Sequence, residues 1–512
     1  MFIQIGLLFI ISIVYFFGIA PDMTWMGLAG DAPDYVAASV MNEQAGLAGY
    51  PLVIGIGWIF QQIFYRGFNL NPFWVMGLVS AISTVVTCGY IYSFIKLYSP
   101  KSSLPSIIGT LAYGGALLVW SQSIIPEVYS MTVMLMVMGI YYLIKAYRED
   151  RPKLLYVSSL VFGLSFCTHP LAYFAFIPAM VYLWKVKLKN KPSILKLGLV
   201  FTLGTIPWLQ WVLANPNQTY PAFSGEKINW IFQSLGIVGG MPILPLDFLI
   251  IRLEDFFSLL GLGLCIVLPF FILNIVTLYK VEKGTVYLLS TIAILPIILY
   301  LTSIPPQWIT YVVPAIAFLS MLGGVCAVEF LDKYNLKSSL VVASVCGLFL
   351  LGMNLWFYDI GRSVDTTPTT ARQIYEKFQD LPENTIVYTH TWGHLSLLID
   401  SYNRLELPDI SINKVDGTVS NTVRESRTYA SGITIMGKHE DKFYGGPAEV
   451  IEGIEADIDN IVRLNPDWEV YVVYLKDRKN VEFDLIPASD YRHILNDIPV
   501  FSRITSGGVG IQ

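Results

Sequence analysis

The stretch GLAGDAPDYV, residues 27–36, sets two carboxylates, Asp31 and Asp34, directly behind an apolar run long enough to cross a bilayer. A buried acid is costly unless it is paired, so acids at a membrane edge need a reason. Two more chemistry-bearing groups interrupt apolar runs further on: Glu127 in SQSIIPE and His169 in THP. A carboxylate can take a proton from an acceptor hydroxyl or amine. A histidine can donate a hydrogen bond to a phosphate or ligate a metal. Each residue also has a structural alternative. GDAP reads as an N-cap signature, with Asp31 ahead of Ala-Pro. Asp34 falls in a first helical turn and Glu127 opens a helix, and acids suit both positions. His169 could be a water-satisfied turn residue.

The elements that must hold these groups are membrane helices. The 512-residue chain is 54% hydrophobic and 14% charged, against about 25% charged in soluble domains. Residues 1–358 hold 18 of the 33 Lys and Arg, and the last 154 residues hold the other 15 with four of the five histidines. A transmembrane part, 1–358, is therefore expected to precede a soluble part, 359–512. The five cysteines, Cys88, Cys167, Cys265, Cys326 and Cys346, all lie in apolar runs and suggest no disulfide framework. The first apolar run lacks a preceding cation and a clear cleavage site, and reads as a retained span.

Eleven spans are expected, at 2–20, 73–96, 104–122, 127–144, 154–168, 171–184, 197–214, 254–279, 285–303, 308–330 and 338–358. Pro with polar residues near 124 and 169 turns the chain between two tight pairs. With the N-terminus cytoplasmic, 15 of the 18 cations of the membrane part fall in inner loops, and only Arg66, Lys227 and Arg252 in outer ones. The soluble part is then extracytoplasmic. Asp31, Asp34, Glu127 and His169 all share the outer face. The first outer loop, about 21–71, holds two expected interfacial helices, DYVAASVMNEQAG and YPLVIGIGWIFQQIF. The second, about 215–253, is rich in Pro and Gly and could form a lid. In the soluble part, TARQIYEKFQDLP, GHLSLLIDSYN and EVIEGIEADIDNIVRL read as helices and TIVYT and WEVYVVYL as strands, so a small α/β domain is expected.

The stretch GDAPDYVAASVMNEQAGLAGYPLVIGIGWIF resembles the first-loop signature of GT-C glycosyltransferases, in particular the protein O-mannosyltransferase-like branch of membrane proteins. PEVYSMTVMLMVMGIYYLI and GLSFCTHPLAYFAFIP resemble two later motifs of that branch, in the same order. The resemblance implies a mainly helical GT-C bundle and an inverting transfer of a hexosyl or mannosyl unit. The donor would be a sugar on a polyprenyl phosphate, and the acceptor an extracytoplasmic protein or glycan, with membrane lipids around and no nucleic acid. It makes Asp31 the catalytic base or its organiser, with Asp34 and Glu127 as further acids. It makes His169, with Tyr50 and Tyr311, contacts for donor phosphate or substrate. One departure stands out. Related enzymes often carry Arg-Tyr-x-x-Pro before a late span, where this chain has WITYVVP, with Thr310 in place of the Arg. The phosphate contact is then expected at Arg66, Arg252 or His169. No cofactor is certain, and a divalent metal held by Glu127 and His169 is one reading.

Two smaller features belong to neither pattern. His390 and His394 flank Trp392-Gly393, and Asn217-Gln218-Thr219 is a sequon. The competing function is a transporter or flippase of a lipid-linked or small substrate. That class more often sets its acids at the bilayer midplane, within inverted repeats. A membrane-anchored sensor or assembly factor is a third reading, but eleven spans exceed what an anchor needs.

Overall fold

The computed structural model describes residues 2–23, 31–43, 50–185, 188, 191–214, 275–276, 279, 282–302, 310–334, 367–382, 385–389, 425–428, 434–437, 458–459, 461–463, 466–467, 469–477 and 482–488. The bundle begins with α1 (Phe2–Gly18). In the first loop come α2 (Ala32–Met41) and α3 (Pro51–Phe60), and α3 runs on through a π turn, Gln61–Tyr65, to Phe68. Next are α4 (Pro72–Lys96), α5 (Leu104–Gly114), α6 (Leu117–Ser123), α7 (Tyr129–Arg148), α8 (Leu154–Phe166) and α9 (Tyr173–Lys185). Then come α10 (Ile194–Gly204), α11 (Ile206–Ala214), α12 (Lys283–Thr302) and α13 (Val313–Tyr334).

Helices thus stand at nine of the eleven expected spans. Nearly all of 254–279 and all of 338–358 lie outside the described residues, as do the loop 215–253, Arg252, the sequon, His390 and His394. Among the described residues four helices are each long and apolar enough to cross a membrane: α4, α7, α12 and the stretch Thr310–Glu329 that includes most of α13. The chain is an integral membrane protein. The span expected at 104–122 is not straight: α5 and α6 bend by 64° at their junction. Gly114-Gly115 ends α5, and Ala116 turns extended before α6 starts. The span at 197–214 also breaks, at Thr205, two residues before Pro207, which has no N–H to continue the first helix and sits in the first turn of α11.

Local chemistry explains the first loop. Asn71 caps α4, accepting from the Phe73 N–H at 2.8 Å, with Pro72 at the first helical position. Asn42 ends α2 in the left-handed region at φ 57°. Gly57 of α3 is needed for close packing, because a Cβ there would strike Met76 and Ser39. Gly163 and Gly204 do the same for α8 and α10, where a Cβ on either would strike the facing helix's backbone, at the Phe201 and Leu160 carbonyls.

Beyond the bundle, α14 (Thr367–Gln379) precedes a five-stranded sheet of β1 (Thr385–Thr389), β2 (Glu425–Thr428), β3 (Thr434–Gly437), β4 (Glu469–Asp477) and β5 (Glu482–Pro487), in the order β2-β3-β1-β4-β5. β1 pairs in parallel with β3 and β4, and the outer pairs are antiparallel. Ile386, Val387 and Tyr388 of β1 are fully buried, as suits a central strand. The expected helix TARQIYEKFQDLP and strands TIVYT and WEVYVVYL are present. GHLSLLIDSYN lies outside the described residues, and of EVIEGIEADIDNIVRL only five residues near its end are described, all helical.

Candidate active site

Five chain breaks meet at one end of the bundle. Asp31 enters α2, Tyr50 enters α3, Glu127 lies between α6 and α7, His169 lies between α8 and α9, and Thr310-Tyr311 lead into α13. Hydrogen bonds to backbone groups stitch these breaks into the bundle. The Leu52 N–H donates to the Cys167 carbonyl at 3.1 Å, which joins the start of α3 to the Thr-His-Pro turn. Ser80 of α4 donates to the Glu127 carbonyl at 3.1 Å and accepts from the Glu127 N–H at 3.2 Å. The Ala20 N–H donates to the Ile124 carbonyl at 2.8 Å, tying the end of α1 to the same break.

Asp31 stands at the N-cap position, but its side chain caps nothing. Pro33 supplies no N–H, and the Asp34 N–H is taken by the Asp31 backbone carbonyl at 3.1 Å. The exposed carboxylate instead accepts from the Tyr35 hydroxyl at 3.3 Å. Glu127 is only 5% exposed. Burial, and then the Asp31 charge nearby, hold its carboxyl well above the usual carboxylate range. One oxygen accepts from the Val128 N–H at 3.3 Å.

Around the two acids stands a set of rings. Tyr35 meets Tyr50 edge to face, and Tyr50 stacks on His169 with centroids 5.7 Å apart. Tyr129 and Tyr311 touch His169 at 5.3 and 5.6 Å and each other at 5.9 Å. Tyr50 holds a left-handed backbone at φ 42°, a costly position for a bulky side chain that its surroundings must enforce. Burial and the Asp31 charge push the Tyr35 and Tyr50 hydroxyls above their ordinary value, so both stay protonated donors. Thr310 is buried beside the Tyr129 hydroxyl, so the position of the expected Arg lies within the cluster.

His169 is buried, and burial alone lowers its ring to about 3. Nδ1 accepts from the Leu171 N–H at 3.1 Å. A neutral ring with Nδ1 as acceptor carries its proton on Nε2. Such a ring is a hydrogen-bond donor with no lone pair left for a metal. Among the described residues no group of three or more His, Cys, Asp and Glu could hold a metal ion. The described residues of the site therefore do not fit one.

Of the residues singled out in the sequence, Asp31, Glu127, His169, Tyr50 and Tyr311 come together. Asp34 occupies the first turn of α2, half-buried. Arg66 is exposed and engaged elsewhere, donating to Gln62 Oε1 at 3.2 Å and to the Val40 carbonyl at 3.3 Å. That places it on the last turn of α2, roughly 13 Å along the axis from Asp31. Tyr35 and Tyr129 were not singled out. Tyr35 had a signal, since it lies four residues after Asp31 on a helix.

Residues 31–193 match the family model described as the protein O-mannosyl-transferase TMEM260 N-terminal domain. No curated protein matches the sequence. Among solved structures, ArnT from Cupriavidus metallidurans bound to undecaprenyl phosphate is 14% identical, with a TM-score of 0.52 over 77% of this chain and 84% of that one. The oligosaccharyltransferase of Archaeoglobus fulgidus tethered to an acceptor peptide is 11% identical, with a TM-score of 0.47 over 92% of this chain and 69% of that one. The resemblance seen in the sequence thus has a counterpart in both comparisons: residues 31–193 are similar to the TMEM260 N-terminal domain, and the chain shares the membrane-helical fold of ArnT.

Proposed function

We propose that the protein transfers a sugar from a polyprenyl-phosphate donor to an acceptor hydroxyl or amine at the membrane surface. The observation that carries this reading is the exposed Asp31 carboxylate, which stands at a cap position without capping and faces a buried acid and a cluster of donors. Supporting the donor class, the neighbour ArnT holds undecaprenyl phosphate. In the proposed reaction Asp31 takes the acceptor proton as the acceptor atom bonds to the anomeric carbon. The bond from that carbon to the phosphate oxygen breaks, and the electron pair leaves with the phosphate. Attack opposite the leaving group inverts the sugar carbon.

The roles follow from environment. Glu127, whose burial favours its protonated form, can orient the acceptor, while the exposed acid serves as base. The His169 Nε2–H and the hydroxyls of Tyr50, Tyr129 and Tyr311 can share the charge of the departing phosphate. Neutral donors would then do the work that the resemblance assigns to an Arg at the position of Thr310. A hexosyl or mannosyl unit and a protein or glycan acceptor are the substrates this reading favours. It also keeps a membrane part, 1–358, with a cytoplasmic N-terminus, and an extracytoplasmic part, 359–512. The support for that orientation is the gathering of inner-loop cations at the opposite end of the bundle.

The test is Asp31→Asn, assayed for transfer from a labelled polyprenyl-phosphate sugar in membranes. A general base typically contributes ~10²–10⁴-fold, so turnover should fall by about that factor while donor binding persists. Turnover near wild type in the folded variant would move the base elsewhere.

A further inference from the structure

The segment 367–379 reaches back across the sequence to the first loop. The Arg372 guanidinium Nε donates to Asp22 Oδ2 at 3.1 Å. The same carboxylate accepts on Oδ1 from its neighbour's Met23 N–H at 2.8 Å and from Asn71 Nδ2 at 3.3 Å. Asn71 is also the residue that caps α4. One carboxylate therefore joins the end of α1, the start of α4 and a helix some 350 residues away in sequence.

Apolar packing runs the same way. Tyr375 and Phe378 follow Arg372 at spacings of three along one side of α14. Both are buried, in a cluster that also holds Met23, Tyr35, Val36 and Val53. Tyr35 is the residue whose hydroxyl donates to Asp31. An exposed ion pair alone contributes only about 0.2–1 kcal/mol. With the apolar cluster beside it, that pair fixes where the larger contact closes.

We propose that α14 latches the first loop through Arg372 and Asp22, and that this latch sets the position of α2 and hence of Asp31. Arg372 and Asp22 are then positioning residues. The consequence for transfer rests on the function proposed above, whereas the latch itself does not.

The test uses the full-length protein and a charge cycle: Arg372→Asp, Asp22→Arg and the double reversal, with Arg372→Gln as the mild variant. Amide hydrogen exchange is read over 32–41 and 367–379. Each single reversal should speed exchange in both segments, by about fivefold if the pair contributes near the top of its range. The double reversal should recover the protection lost with the ion pair, though not the part held by the Met23 and Asn71 contacts to the Asp22 carboxylate, and Arg372→Gln should fall between. Faster exchange confined to 367–379, or no restoration in the double reversal, would overturn the latch. In the transfer assay the single reversals should raise the acceptor KM by a similar factor with little change in donor KM, and the double reversal should bring it back toward the parent value. Altered exchange with unchanged acceptor KM would overturn the positioning role. Absence of transfer in the unaltered protein would count against the proposed function and leave the exchange result standing.

Discussion

At one end of the bundle Arg148 sits between Glu282, 2.6 Å away, and the ring of Tyr98, 3.9 Å from its centroid. Tyr98 in turn bonds to Thr285, and Lys96 is tied to the Ser102 carbonyl at 2.9 Å. At the other end Asp31 and Glu127 lie among four tyrosines and a histidine, and among the described residues neither forms an ion pair. The two ends carry opposite charge and treat it oppositely. Cations at the first end are closed by partners, which fixes the helix ends α4, α7 and α12 against each other. Asp31 and Glu127 at the second end are left with the Tyr35 hydroxyl, the Val128 N–H and each other, an arrangement that costs stability and so points to use.

The sharpest test of that contrast sets one variant at each end side by side. Asp31→Asn should lose transfer by ~10²–10⁴-fold with little change in thermal stability, since Asn suits an N-cap position as well as Asp. Arg148→Gln should do the reverse. It should lower stability by about 1 kcal/mol, from a part-exposed ion pair and one cation–ring contact, with turnover per folded molecule unchanged. Melting curves and transfer rates on both variants check this. A loss of turnover in Arg148→Gln would break the assignment of chemistry to one end.

This contrast was partly legible in the sequence. Charge placement alone separated Lys96, Lys145 and Arg148 from Asp31, Glu127 and His169, because loop cations and interrupting acids mark helix ends whatever the packing. The breaks at Pro126 and Pro170 were legible for the same reason: proline leaves a fixed local signature. The bend between α5 and α6 was not, since LAYGGALLVW reads as one apolar run and the break depends on two glycines. Arg66 was a reasonable candidate by sign and by loop, yet its side chain closes the far end of α2. Strands β2, β3 and β5 escaped notice because a four-residue strand such as ESRT has no apolar period to read. The ring cluster escaped too. Tyr50, Tyr129 and Tyr311 are hundreds of residues apart at the extremes, and only the fold brings them around His169.

Within the acidic end, stability against pH separates Glu127 from a paired carboxylate. Its native pKa lies above its ordinary 4.5. A group raised in the folded state contributes its stability below the unfolded value and loses it as pH rises toward the folded value. Glu127→Gln keeps an oxygen that can accept from the Val128 N–H and removes the titration. The two proteins should therefore match in stability below pH 4.5, and the variant should gain on the parent as pH rises above it. Melting temperatures across that range decide the matter. If the parent instead gained on the variant with rising pH, a cation must hold Glu127 ionised, and the two ends would no longer differ in kind.

The last contrast concerns His169, and its sign runs the other way. Burial lowers its native pKa to about 3 from an ordinary 6.5. The native state thus holds the ring neutral while the unfolded chain takes up a proton as pH falls below 6.5. Stability tied to the neutral ring is complete above pH 6.5, declines as pH falls, and stops declining near 3. In His169→Asn the amide oxygen can accept the Leu171 N–H in place of Nδ1, and nothing titrates. The stability difference between parent and variant should be constant above pH 6.5 and should shift against the parent by about 1.4 kcal/mol per pH unit below it. A difference that stayed flat down to pH 4 would mean a charged imidazolium in the native state. The acidic end would then contain its own buried cation. The departing phosphate would meet a full positive charge, in place of the neutral Nε2–H donor assigned to it.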